Sequence, residues 1–171
     1  VQKVLNMRAL NGEAKTAFAD AESAFDTCVD DKDAPNGIWQ GEFWGKLMIS
    51  ACRVAEYEHD EALKSFLHDE ALRLIAFQKP DGYLGSYVDP EFVCAADEEQ
   101  AKRANGWGCD FCWNLWCRKY TTWGLVAAFR LTGDKEIGSA ADRLMTQQIE
   151  MLRRLGVKLC DTGTGAMVGM P

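Results

Sequence analysis

Positive charge is what this chain has least of. It carries 19 Lys and Arg against 26 Asp and Glu, a formal net charge of −7. A nucleic-acid or anionic-membrane partner would need a basic face, so neither class of partner is expected. No run of about 18 apolar residues exists, which excludes a membrane-spanning helix of the usual kind. Histidine is scarce as well: only His59 and His68 occur. Both fall in a charged hairpin and read as solvated surface side chains. No nucleophile motif, phosphate loop or strand-like alternation appears. Gly163 and Gly165 follow no strand, so they make no dinucleotide site. The seven cysteines are odd in number and have helix-type neighbours, which argues against a disulfide framework. A reducing compartment follows, and the cytoplasm is the expected location. No signal-peptide pattern is read in residues 1–171. The chain starts at Val1 and stops at Met170-Pro171 after a Gly-rich stretch, so residues 1–171 read as a partial domain truncated at both ends.

What is there is helical periodicity. Ala14, Ala17, Phe18, Ala21, Ala24 and Phe25 mark one buried face of a helix over about Glu13–Cys28. A second helix is predicted over about Glu42–Tyr57, with Phe43, Leu47, Ile49 or Ser50, Val54 and Tyr57 as its apolar stripe. A third runs over about Glu61–Phe77, a fourth over Cys109–Leu131 and a fifth over Lys135–Leu155. Between the third and fourth lies an irregular segment from Pro80 to about Gly108. A loop of that length inside a domain is usually functional. The fold class is all-α.

The chain also echoes itself. Residues 51–60 line up with residues 125–134, ending on Asp60 and Asp134. Each unit reads as a helix, a tight turn, an aspartate that caps the next helix through its free N–H groups, and a second helix. The echo spacing of 74 residues suggests two helical hairpins per period. Repeated helix pairs signal a solenoid or a closed toroid.

Three stretches could carry chemistry. The first is Trp39-Gln40-Gly41-Glu42-Phe43-Trp44-Gly45-Lys46. Tryptophan faces stack on sugar rings, and Glu42 and Lys46 can bond hydroxyls. Equally, Trp39 and Phe43 can be core and Glu42–Lys46 an i,i+4 pair. Neither reading explains Gly41 and Gly45, because glycine inside a helix costs about 1 kcal/mol relative to alanine. Small residues there imply close approach of another element. The second stretch is Gln78-Lys79-Pro80-Asp81-Gly82-Tyr83-Leu84, a helix end and turn that gathers polar and aromatic groups. The third is the aromatic stripe Trp113, Trp116, Tyr120 and Trp123 at helical spacing. Such a stripe is more often core than site, yet Trp and Tyr also line clefts. Arg118 and Lys119 beside it would be polar rim groups. Cys109, Cys112 and Cys117 have C-x2-C-x4-C spacing with no second pair. Zinc needs four ligands, so buried small hydrophobes are the simpler reading. No metal site is expected within this chain.

In order, Gly41 to Lys46, Gln78 to Leu84, and Tyr120 to Asp134 with its Gly124-Leu125 and Leu131-Thr132-Gly133-Asp134 resemble one family: the beta-L-arabinofuranosidase-type glycoside hydrolases of family 127. The likeness covers about residues 38–158, the N-terminal half of that catalytic domain. It implies helical hairpins forming part of an (α/α)6 toroid and hydrolysis of a glycosidic bond. It also implies a zinc-held cysteine nucleophile and a glutamate acid/base in the complete domain, at positions beyond this chain, so no catalytic residue transfers. Where the family usually has a histidine before Gly124-Leu125, Arg118, Lys119 and Tyr120 stand here. That marks a divergent relative.

The expected partner is a carbohydrate, with Glu42, Trp44, Gln78, Asp81, Tyr83, Trp116 and Trp123 as the substrate-binding residues. Twelve helices of roughly 12 residues would need about twice this chain. Exposed apolar faces would then be covered by the rest of the toroid or by a second copy. The alternative is a non-enzymatic all-α interaction module with the aromatic stripe as its core. A terpene-cyclising toroid is weaker, since no Asp-rich metal motif occurs.

Overall fold

The computed structural model describes residues 13–28, 39–93 and 113–162. Among them are five α-helices: α1 Glu13–Thr27, α2 Gln40–Glu58, α3 Glu61–Ile75, α4 Asn114–Thr132 and α5 Lys135–Leu155. A short 3-10 turn, Leu159–Asp161, follows, and no strand occurs among the described residues. The chain is all-α. The expected helix starts at Cys109 to Cys112 lie outside the described residues.

The two aspartates do what their spacing implied. The Asp60 carboxylate accepts the Leu63 N–H at 2.9 Å and opens α3. The Asp134 carboxylate accepts the Glu136 N–H at 2.8 Å and opens α5. The residue before each is left-handed: His59 at φ 53° and Gly133 at φ 74°. Each pair is therefore α-helix, left-handed stop, aspartate cap, α-helix. One hairpin per 74-residue period lies among the described residues; the rest of the expected period falls partly on residues 94–112, outside them. After α3, residues 76–93 are irregular.

These hairpins stand side by side in two layers. α2 packs far more extensively on α4 than any other helices meet, whereas α3 and α5 touch lightly. Gly41 faces Cys117 and Thr121, Gly45 faces the Tyr120 backbone, and Trp44 lies on Gly124, so α2 and α4 run in the same sense. A Cβ on Gly41 would lie 2.9 Å from both Cys117 Cβ and Thr121 Oγ1, and one on Gly124 would lie 2.7 Å from the Trp44 ring. One on Gly45 would collide with the Tyr120 carbonyl. The close approach implied by Gly41 and Gly45 is thus the contact between helices of successive repeats. Parallel inner helices with their partners outside are how hairpins assemble in an α/α toroid, and this chain forms part of one. Phe18, Phe25, Trp44, Met48, Leu63, Leu67, Leu74, Leu125, Ile137 and Leu144 fill the space between the layers. Burying each such side chain contributes about 1.5–3 kcal/mol.

The connection is strapped to α4 and α5. Asn114 Nδ2 donates to the Phe92 carbonyl at 3.0 Å, with the Asp89 and Pro90 carbonyls at 3.4 and 3.3 Å. The Tyr87 hydroxyl accepts the Trp113 N–H at 3.1 Å. A small second core of Val93, Leu115, Met151 and Leu152 closes that end.

His59 is exposed, as its sequence reading had it. His68 corrects that reading. It is half-buried and joins α3 to the cap of α5, with Nε2 2.8 Å from Asp134 Oδ2 and Nδ1 3.3 Å from Asp69 Oδ1. The hydrogen bond to Asp134 raises the imidazole pKa above its ordinary 6.5. The same bond holds the Asp134 carboxyl below its usual range. The stability that His68 brings is therefore complete below pH of about 6.5 and is lost as pH rises through the higher folded value. Between pH 6 and 8 the melting temperature of the wild type is expected to fall more steeply than that of His68→Gln. Equal slopes in thermal unfolding followed by circular dichroism would show that the bridge contributes nothing.

Candidate functional site

The aromatic stripe is not core. Trp39 and Trp113 sit at equivalent positions, each the residue before an inner helix, and their rings meet edge-on at 6.1 Å. From Trp113 the ladder continues to Trp116 at 6.0 Å, Tyr120 at 5.2 Å and Trp123 at 5.9 Å. None of these rings belongs to either buried cluster. Trp123 is 39% exposed and Trp39 41% exposed, while Trp116 and Tyr120 are half-buried. The ladder therefore lies outside both cores, partly exposed along α4.

Cations decorate it. Lys119 is buried, yet its ammonium sits over three rings, 5.2 Å from the Trp116 centroid, 5.3 Å from Tyr120 and 5.1 Å from Trp123. A cation over aromatic faces is held by the ring quadrupole. The Lys46 ammonium lies 4.8 Å from the Tyr120 centroid and pairs with Glu42 one turn earlier on α2. That bond raises the Lys46 pKa. Beside Tyr120 and Trp123 runs a groove of about 660 Å³ between α2 and α4, with Lys46, Arg53, Glu56 and Arg130 in its walls.

The expected site residues divide into two groups and one outlier. Glu42, Trp116 and Trp123 come together around Tyr120. Gln78, Asp81 and Tyr83 lie at the joint between α3 and α5. The Gln78 amide donates to the Gly82 carbonyl at 3.0 Å and the Ala140 carbonyl at 2.9 Å, and its oxygen accepts from Arg143 at 2.9 and 2.6 Å. Asp81 is exposed and accepts the Tyr83 N–H at 3.0 Å, forming the turn. Tyr83 is buried, donates its hydroxyl to the Tyr87 carbonyl at 2.9 Å and accepts the Tyr87 N–H at 3.1 Å. Burial pushes its phenol up to about 12. Trp44 is wholly buried, edge-on to Phe18 at 6.2 Å. Gln78, Tyr83 and Trp44 are thus engaged in holding the fold, and their side chains face no open groove. The rim role given to Arg118 is corrected as well, for it is 1% exposed.

Cys52 and Cys117 are buried and take no part in a disulfide. Burial, helped by nearby Glu56, pushes the Cys52 thiol up to about 12, and its Sγ lies 3.6 Å from Met48 sulfur. A thiol so hard to ionise is a packing group. Cys94, Cys109 and Cys112 lie outside the described residues. Among the described residues, no group of three or more His, Cys, Asp or Glu is placed to hold a metal ion, and no helix is long and apolar enough to cross a membrane. Arg53 and Arg130 carried no sequence signal as a pair, because they line one groove only when helices of two repeats are set side by side.

Paired helical hairpins with an aromatic, charged groove on the inner helices define an α/α-toroid protein of the carbohydrate-active type. The family model described as Beta-L-arabinofuranosidase, GH127 catalytic domain, matches residues 2–162, and the chain belongs to that family. Neither the curated proteins nor the solved structures contain a match. The chain is glycoside hydrolase-like, and the matched region is catalytic domain.

Proposed function

We propose that this chain supplies a sugar-binding wall of a catalytic domain that hydrolyses a beta-L-arabinofuranoside or a related glycoside. The observation that carries the reading is the partly exposed ladder Trp116–Tyr120–Trp123 along α4, with the Glu42–Lys46 pair beside it. Aromatic faces shed water onto the C–H faces of a sugar, and the flanking charges fix hydroxyl directions. Holding the sugar in one orientation is how such a wall contributes to rate. We assign the residues of this wall a binding role, and assign the zinc, cysteine nucleophile and glutamate acid/base that the family resemblance implies to residues outside it. Exposed Phe129 and Ile149 on α4 and α5 offer surface for further hairpins or a second copy.

The test is hydrolysis of an aryl beta-L-arabinofuranoside, alongside other aryl glycosides, by the full-length protein. Trp123→Ala and Trp116→Ala are expected to raise KM about tenfold or more, the cost of one lost contact of about 1.4 kcal/mol. Glu42→Gln should act in the same direction. Unchanged KM in all three variants would refute the assignment.

A further inference from the structure

We infer that the saccharide bound in this groove carries a carboxylate, a uronate-type unit, in addition to the sugar that is cleaved; the inference rests on the sugar-binding reading above. It starts from a reversal of charge. The chain as a whole is at −7, yet the groove walls hold Arg53 and Arg130 against Glu56, with Lys46 neutralised by Glu42. Arg53 comes from α2 and Arg130 from α4, so the two guanidinium groups approach one groove from opposite sides.

Unlike Arg73, Arg143 and Arg154, these two arginines carry no side-chain partner among the described residues, and unlike the similarly unpartnered Arg153 they face one groove together. Arg73 pairs with Glu70 and Glu22, Arg154 with Glu91, and Arg143 with Gln78. Among the described residues, Arg53 and Arg130 have no ion pair and no hydrogen bond from their side chains. Guanidinium presents a planar fork that matches a carboxylate with two parallel hydrogen bonds. The neighbouring Tyr120 and Trp123 rings supply the apolar face on which a sugar ring carrying that carboxylate would lie. Glu56 in the same wall repels a dianion more than a monoanion, which favours a carboxylate over a phosphate.

The experiment is a titration of the full-length protein, followed by calorimetry, with a disaccharide carrying a single uronate, its methyl ester, and a phosphorylated sugar. The acid is expected to bind about tenfold more tightly than its ester, the scale of one charge-assisted contact. Arg53→Gln and Arg130→Gln should each remove most of that preference and leave the ester unchanged, and raised salt should erode it. If acid and ester bind equally, and Trp123→Ala weakens both, the wall binds sugar but the anionic inference is overturned. Tighter binding of the phosphorylated sugar than of the acid overturns it too. If no saccharide binds, the sugar-binding reading falls with it.

Discussion

Gly45→Ala is expected to destabilise the protein by about 3 kcal/mol or more, the upper end of what overpacking costs. The added Cβ would meet not a side-chain tip but the Tyr120 carbonyl group, part of the α4 backbone. Backbone inside a helix cannot rotate out of the way, so α2 and α4 must separate along their whole contact. Alanine's better helix propensity returns only about 1 kcal/mol. Gly124→Ala meets the edge of the Trp44 ring at 2.7 Å, and that ring is wholly buried, so a large loss is expected there also. Gly41→Ala should cost less than Gly45→Ala, since its nearest contacts, Cys117 Cβ and Thr121 Oγ1 at 2.9 Å, are less severe than the collision at Gly45. Gly138 is the control. Its Cβ would meet the Phe129 ring at 3.0 Å, and Phe129 is 38% exposed and free to swing. Gly138→Ala should therefore be neutral or stabilising. Denaturant midpoints at unchanged m-value give the order. A Gly45→Ala variant as stable as the wild type would mean that the helices are not in backbone contact.

That contact also explains what could and could not be read from the residues alone. Asp60 and Asp134 announce their helices because capping is local: the carboxylate acts within three residues. Gly41 and Gly45 were legible as an anomaly, because no local rule rewards glycine inside a helix. The face of α2 was not legible. The apolar stripe through Phe43 and Tyr57 suggested one buried side, yet Phe43 is 52% and Tyr57 77% exposed. The face that is buried carries Gly41, Trp44, Gly45, Met48, Cys52 and Ala55. One position along a helix is a rotation of about 100°, and only the α4 backbone lying against the glycines decides between the two. The same holds for the ladder. An aromatic stripe is compatible with core or cleft, and its exposure depends on what lies across it. Arg118 and Lys119 are neighbours with opposite surroundings. One faces α5 and the connecting loop, the other a set of rings on its own helix.

Arg118→Ala is the second large effect expected, at about 3 kcal/mol, because it removes the buried donor that joins three elements and opens a cavity where a large side chain was packed. Arg118 Nε donates to Asn114 Oδ1 at 2.9 Å, Nη1 donates to Gln147 Oε1 at 3.0 Å, and Nη2 donates to the Pro90 carbonyl. The guanidinium also lies 4.6 Å from the Tyr83 ring centroid. One planar group thus holds α4, α5 and the 83–93 strap together. Truncation leaves the buried Asn114 Oδ1 without this donor, at about 1–3 kcal/mol, and releases Gln147 and the Pro90 carbonyl from the clamp. Arg118→Lys keeps the charge but not the fork, so its ammonium cannot reach three directions at once. It should recover less than half of the loss. Proteolysis should cut first within residues 83–93, where the strap depends on Asn114 and Arg118. The consequence reaches the ladder, since the strap's Tyr87 hydroxyl accepts the Trp113 N–H at the start of α4. Loss of Arg118 should therefore shift tryptophan fluorescence before global unfolding, as Trp113 loosens against Trp39. Should Arg118→Lys unfold at the wild-type midpoint with the strap still protected, the fork is not what joins these elements, and bulk and charge alone suffice.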